Sequence, residues 1–179
     1  MRDAARPLLV IDTNILISAE GGFVNFARKN ALFSTACKII IAAITEKVEF
    51  VLSPATRDEY LKKCAPNQTY KNYHGRMPPP WLSGFMMKAT ILDFDPAPTP
   101  GMQVKDSDDL PFLALARYTG ATLVTSNIAD FPGEGRDGVE VLLAGHLLGK
   151  FPQLKACFEC CKNGCCPGKR LCRNHGGGR

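Results

Sequence analysis

No apolar run in this sequence approaches the ~18–20 residues needed to cross a bilayer. The greasiest stretch, Ile39-Ile40-Ile41-Ala42-Ala43-Ile44, is long enough only for a core. A membrane protein is therefore not expected. The opening residues Met1-Arg2-Asp3 include an acid and lead to the first apolar segment without an h-region, so no secretory signal is expected either. The cytoplasm is the expected compartment, and there the eight cysteines would be reduced or metal-bound rather than paired in disulfides. Histidine is scarce. His74, His146 and His175 show no relay spacing, which speaks against a His-centred hydrolytic triad. There is no internal repeat.

What remains is ordinary for a globular domain: 179 residues, 45% hydrophobic and 22% charged. That length supports one domain, residues 1–150, with a tail over 151–179. Charge divides the same way. Of 22 Lys and Arg, the tail holds Lys155, Lys162, Lys169, Arg170, Arg173 and Arg179 against Glu159 alone, which leaves sixteen residues of each sign in the body. A basic tail on a neutral body suits a polyanion partner, and on charge alone it suits a solvated tail equally well.

Apolar segments alternate with helical patterns. Leu8-Leu9-Val10-Ile11 reads as a strand buried on both faces, ending abruptly in Asp12-Thr13-Asn14. Asn14 is expected to cap the helix that follows. A second helix is expected from about Ala31 to Lys47, because Phe33, Cys37, Ile40, Ile41 and Ile44 recur at helical spacing. Phe50-Val51-Leu52 is a short strand, and Ser53-Pro54 opens a helix reaching Tyr60 and Leu61. The breaker-rich residues 65–80 predict a connection that could act as a flexible clamp. A short helix over Trp81 to Lys88, a strand at Thr90-Ile91-Leu92 and a proline-rich loop from Asp95 to Gly101 come next. Asp106-Ser107-Asp108-Asp109 then opens a helix from Leu110 to Tyr118, stopped by Gly120. Leu123-Val124-Thr125 is a buried strand and Val139-Glu140-Val141-Leu142 a later edge strand. The pattern predicts an α/β fold, a three-layer α/β/α sandwich around a mainly parallel central sheet.

In such sheets chemistry gathers at the carboxyl ends of the strands. Asp12, Glu59, the Asp106/Asp108/Asp109 cluster, and Asn127 with Asp130 all follow strands or open the next helix. Each has a plainer reading. Asp12 and Asn127 are ordinary turn residues, Asp108 and Asp109 suit a helix N-terminus, and Glu59 suits a solvated helix face. Together they point elsewhere, because carboxylates side by side repel and raise one another's pKa unless a cation holds them. Hard divalent ions take oxygen ligands, and Mg²⁺ binds through a few carboxylates, waters and substrate phosphate oxygens. Such a site can activate water for in-line attack on a phosphodiester.

The same residues resemble a PIN-domain ribonuclease. Val10-Ile11-Asp12-Thr13-Asn14-Ile15-Leu16-Ile17-Ser18-Ala19 is similar to the family's opening motif, and Ser53-Pro54 through Glu59-Tyr60 to its second. Asp106 through Ala116 resembles the third, and Leu123 to Asn127 with Asp130-Phe131-Pro132 the fourth. The likeness runs through roughly residues 7–150 and is nearest to the toxin components of bacterial toxin–antitoxin pairs. It implies a Mg²⁺- or Mn²⁺-dependent endoribonuclease in which Asp12, Glu59 and Asp109 carry the metal. Asp109 is preferred because it stands three residues before Phe112. Asp106 and Asn127 are further metal candidates, and Thr13, Asn14, Thr125, Ser126 and Asp130 are supporting or phosphate-contact residues. Many family members have an aspartate where Asn127 stands; an amide oxygen can still ligate or orient water, but brings no charge. The implied partners are an RNA substrate, an antitoxin protein and a second copy of the chain.

The tail lies outside that resemblance. Cys157, Cys160, Cys161, Cys165, Cys166, Cys172 and His175 fall within nineteen residues. Cys157, Cys160, Cys172 and His175 make one tetrahedral Zn²⁺ set, with Cys165 or Cys166 as substitutes. The alternative is a basic tail without metal. Two functions are therefore expected to compete: a metal-dependent ribonuclease, and a PIN-fold module that binds RNA or protein with weak or no cleavage.

Overall fold

In a computed structural model, residues 6–27, 34–64, 80–151 and 154 are described. Five short strands form one parallel sheet: β1 (Leu8–Ile11), β2 (Glu49–Leu52), β3 (Thr90–Ile91), β4 (Thr122–Thr125) and β5 (Val141–Leu143), in the order β3-β2-β1-β4-β5. Every pairing is parallel, so the expected mainly parallel sheet is wholly so among the described residues. Among the described residues six α-helices accompany it: α1 (Thr13–Ala27), α2 (Thr35–Ile44), α3 (Pro54–Lys63), α4 (Pro80–Met86), α5 (Leu110–Thr119) and α6 (Ala144–Lys150). The result is an α/β sandwich. None of the described helices is long and apolar enough to cross a membrane.

Burial explains the continuous apolar strands. Leu9, Val10 and Ile11 in β1 are fully buried, as are Leu123 and Val124 in β4, because a parallel sheet is covered on both faces. α1 packs on α2 and against β4, and α2 packs on α6. Phe50 of β2 stacks on Phe85 of α4 with ring centroids 4.2 Å apart, and Tyr60 of α3 lies between Phe85 and Phe112 of α5. This aromatic chain joins α3, α4 and α5 through one cluster.

Local signals set most boundaries. Ser53 caps α3 in a reciprocal capping box with Thr56, and Pro54 occupies the first turn, where its missing N–H costs nothing. Gly120 ends α5 in the left-handed conformation at φ 66°, open to glycine without a Cβ penalty. Ser34 caps α2, whose expected first residues, 31–33, lie outside the described set. α2 stops at Ile44 rather than Lys47, because Glu46 takes φ 59° and Lys47 N–H returns to the Ala42 carbonyl at 2.8 Å. α4 ends two residues before the expected Lys88, in a turn leading to β3. β5 begins at Val141 rather than Val139, after a turn with positive φ at Asp137 and Gly138, although Leu123 N–H already bonds the Glu140 carbonyl. The expected clamp at 65–80 lies almost wholly outside the described residues. Leu154 is fully buried, so core packing extends to it.

Tyr60 ties the aromatic cluster to the sheet. Its hydroxyl donates to the Ile11 carbonyl, the last of β1, and burial keeps the phenol protonated by pushing its pKa well up. Replacing it leaves a buried carbonyl without this partner. Tyr60→Phe is expected to lower the unfolding free energy by about 1–3 kcal/mol, read as a lower urea midpoint with an unchanged m-value.

Candidate functional site

Strand order reverses at β1: the chain moves to β2 and β3 on one side, then crosses to β4 and β5 on the other. Ligand crevices in open α/β sheets lie outside the carboxyl ends of the strands at such a reversal. Asp12 follows β1 at this position, with its N–H on the Val124 carbonyl of β4 at 2.8 Å. Only 3% of Asp12 is exposed.

Its carboxylate is held from three directions. Thr125 Oγ1, at the end of β4, donates to Asp12 Oδ2 at 2.7 Å. Asn14 Nδ2 donates to the same oxygen at 2.5 Å, and Asn14 N–H to Oδ1 at 3.2 Å. Asp12, rather than Asn14, therefore stands at the N-terminal cap of α1, since its oxygen reaches the helix N–H two residues on. Asn14 instead bridges the sheet: its Oδ1 accepts Ser126 N–H at 2.8 Å and its Nδ2 also reaches Thr125 Oγ1 at 3.1 Å. Thr125 Oγ1 further accepts Asn127 N–H at 2.9 Å. Asn14 and Thr125 thus act on Asp12. Burial raises the Asp12 pKa, the Thr125 and Asn14 hydrogen bonds oppose that rise, and the Glu59 charge adds to it.

Glu59 reaches the same region from α3. Thr13 Oγ1 donates to its Oε1 at 2.8 Å, joining the first turn of α1 to α3 across 46 residues of sequence. Lys63, one turn further along α3, lies 3.1 Å from the same oxygen and 3.6 Å from Asp108 Oδ2. The sequence reasoning missed Lys63, although its i,i+4 spacing from Glu59 was a usable signal.

The acidic cluster resolves into unequal members. Ser107–Asp109 is a 3₁₀ turn leading directly into α5. Asp106 caps that turn, its Oδ1 accepting Asp108 N–H at 3.0 Å, and both residues are exposed. Asp109 alone is buried, with no side-chain cap bond to α5. Its pKa is raised to about 7, first by burial and then by the charges of Asp12, Asp130, Asp106 and Glu59. Asn127 and Ser126 are exposed, and Asn127 Nδ2 donates to Asp130 Oδ2 at 2.6 Å. That bond ties Asp130 to an amide rather than leaving it open.

Asp12, Glu59, Asp109 and Asp130 therefore share one electrostatic neighbourhood, and every donor in it is oxygen. Among the described residues no three Asp, Glu, His or Cys groups are gathered closely enough to grip one ion by themselves. The set suits a cation that needs only one or two carboxylates and keeps its waters, which is how Mg²⁺ is commonly bound. The tail residues Cys157, Cys160, Cys172 and His175 lie outside the described residues; of the described cysteines, Cys37 and Cys64 are free and buried.

The raised Asp109 pKa carries a sign. Its ordinary value is 3.8, so the folded state resists ionising it, and this cost is absent below pH 4 and grows up to about pH 7. In EDTA, Asp109→Asn is expected to be more stable than wild type at pH 8. The gap should be on the order of 1–2 kcal/mol after solvent screening, and should close below pH 4. Urea unfolding at the two pH values checks this.

The four segments that build this crevice fall almost wholly within one stretch. A protein-family model for the PIN domain matches residues 8–129, spanning Asp12, Glu59, Asp109 and Asn127 and stopping just short of Asp130. No curated protein matches the chain. PIN domains are generally nucleases. With its parallel sheet, its order of strands and this match over most of its length, the chain belongs to the PIN-domain family.

Proposed function

We propose that this protein is an endoribonuclease dependent on Mg²⁺ or Mn²⁺, with Asp12, Glu59 and Asp109 as its catalytic carboxylates. The observation that carries this reading is the gathering of acids around Asp109: its buried carboxyl makes no capping bond to α5, and its pKa is raised to about 7, first by burial and then by the charges of Asp12, Asp130, Asp106 and Glu59. A bound divalent ion would neutralise that repulsion, activate water and offset the charge that develops on the phosphate during hydrolysis. Asp12 and Asp109 would hold it, with Glu59, Asp106 and Asn127 as the remaining candidates. Asn14 and Thr125 hold the Asp12 oxygens in place, and Thr13 holds Glu59. Ser126 and Asp130, just beyond the end of β4, would contact the phosphate.

The finer identity proposed is the toxin component of a type II toxin–antitoxin pair, acting on RNA in the cytoplasm. An antitoxin would restrain it by occupying the cleft, and a homodimer is the proposed assembly. Residues 1–150 would form the nuclease, and 151–179 an appendix holding Zn²⁺ through Cys157, Cys160, Cys172 and His175. Elemental analysis of the purified full chain should then return one zinc per molecule.

A second reading, an RNA- or protein-binding PIN module, is favoured by two observations. Asn127 brings no charge and is engaged with Asp130, and Glu59 is already paired with Lys63. A fluorescent RNA incubated with Mn²⁺ separates the readings. The nuclease reading expects cleavage by wild type and a loss of at least 100-fold in Asp12→Asn, whereas unchanged cleavage in that variant, or none with any divalent ion, leaves the binding module.

A further inference from the structure

The charge that balances the acidic crevice comes from one helix turn away from Glu59. Lys63 sits in the last turn of α3, where a cation also meets the helix dipole favourably. An isolated i,i+4 pair on a helix surface would be a minor contact. This one differs in two respects. Glu59 is only 13% exposed at its side chain, so the carboxylate end of the pair is shielded while Lys63, at 36%, keeps contact with water. Lys63 also reaches Asp108, which belongs to the 3₁₀ turn before α5, so a single ammonium group spans two separate carboxylate-bearing elements.

The pairing occupies Glu59 in a particular way. Thr13 and Lys63 both engage Oε1, and among the described residues none hydrogen-bonds Oε2. Glu59 is therefore held by one oxygen and pulled toward α3 and Asp108. In the same structure no three acidic groups among the described residues are gathered tightly enough to grip one ion. We infer that Lys63 is a built-in counter-cation, a positioning residue that holds Glu59 and Asp108 and thereby weakens and tunes the affinity of the crevice for a divalent ion.

Resting on the metal-dependent reading above, the consequence is a site that loads only when the ion outcompetes Lys63 electrostatically. The ion and the ammonium group attract the same carboxylate, and each repels the other. Removing the positive charge 3.1 Å from a carboxylate that would hold the ion, at a solvent-screened position, is expected to tighten its binding by about tenfold. Lys63→Arg keeps the charge and much of the reach, and so keeps the affinity near wild type.

The test measures Mn²⁺ binding to the full chain without RNA. Thermal unfolding is followed across a Mn²⁺ titration for wild type, Lys63→Met, Lys63→Arg and Glu59→Gln/Lys63→Met, after EDTA treatment and dialysis. Ligand at free concentration L that binds the folded state stabilises it by RT ln(1 + L/Kd), so the Mn²⁺ concentration at which the midpoint begins to climb reads affinity separately from any change in intrinsic stability. The inference expects that concentration to fall about tenfold in Lys63→Met and to stay unchanged in Lys63→Arg. It expects the gain to shrink in the double variant, where the charge of Glu59 is gone. Equal or weaker binding by Lys63→Met than by wild type overturns the inference while leaving the metal site standing. Absence of any Mn²⁺ effect in all four proteins removes the metal reading itself, and this inference with it. A Lys63→Met chain that does not fold hands the decision to Lys63→Gln, judged by the same shift.

Discussion

The burial of a carboxylate between two parallel strands is the constraint on which this structure turns. Asp12 leaves β1 where the sheet reverses direction, and only 3% of it remains exposed. A charge in that position is costly unless it is hydrogen-bonded. The answer is local and tertiary at once: Asn14 supplies donors from the first turn of α1, and Thr125 supplies one from the end of β4, 113 residues away. Because Asn14 also accepts Ser126 N–H and Thr125 also accepts Asn127 N–H, fixing Asp12 fixes the β4 exit loop as well.

The remaining carboxylates are arranged around this one by different means. Glu59 is brought by α3, whose start is set by the Ser53 cap and whose body is anchored by Tyr60 on the Ile11 carbonyl, directly before Asp12. Asp109 is brought by the turn into α5, whose Phe112 meets the ring of Tyr60. The aromatic cluster under the crevice thus links both acid-bearing elements to β1. Rigid packing of that kind holds like charges together against their repulsion, and stability is lost at a site shaped for function.

Much of this was legible in the chain. The continuous apolar strands, the Ser53-Pro54 helix start and the Gly120 stop are local signals, and each appears as read. The boundaries of α2 and β5 failed where a turn took positive φ at a residue other than glycine, at Glu46 and Asp137, which composition does not flag. The cap of α1 was misassigned because two neighbouring residues both suit that role; which one caps depends on where β1 ends. Asp12, Glu59 and Asp109 could be nominated from their places after strands and at helix starts, but their unequal burial could not. Asp106, Asp108 and Asp109 look alike in sequence, and only the last is buried.

By itself the sequence determined the alternation of strands and helices, the kind of sheet, and the positions where acids leave the core, because these follow from periodicity and capping within a few residues. Tertiary structure decided which acids meet and what restrains them. The Thr13–Glu59 and Thr125–Asp12 hydrogen bonds span 46 and 113 residues, and Lys63 reaches Asp108 across two elements. Neither spacing nor composition encodes such contacts. They exist because crossing from β3 to β4 brings the later half of the chain beside β1, where charges distant in sequence share one electrostatic neighbourhood.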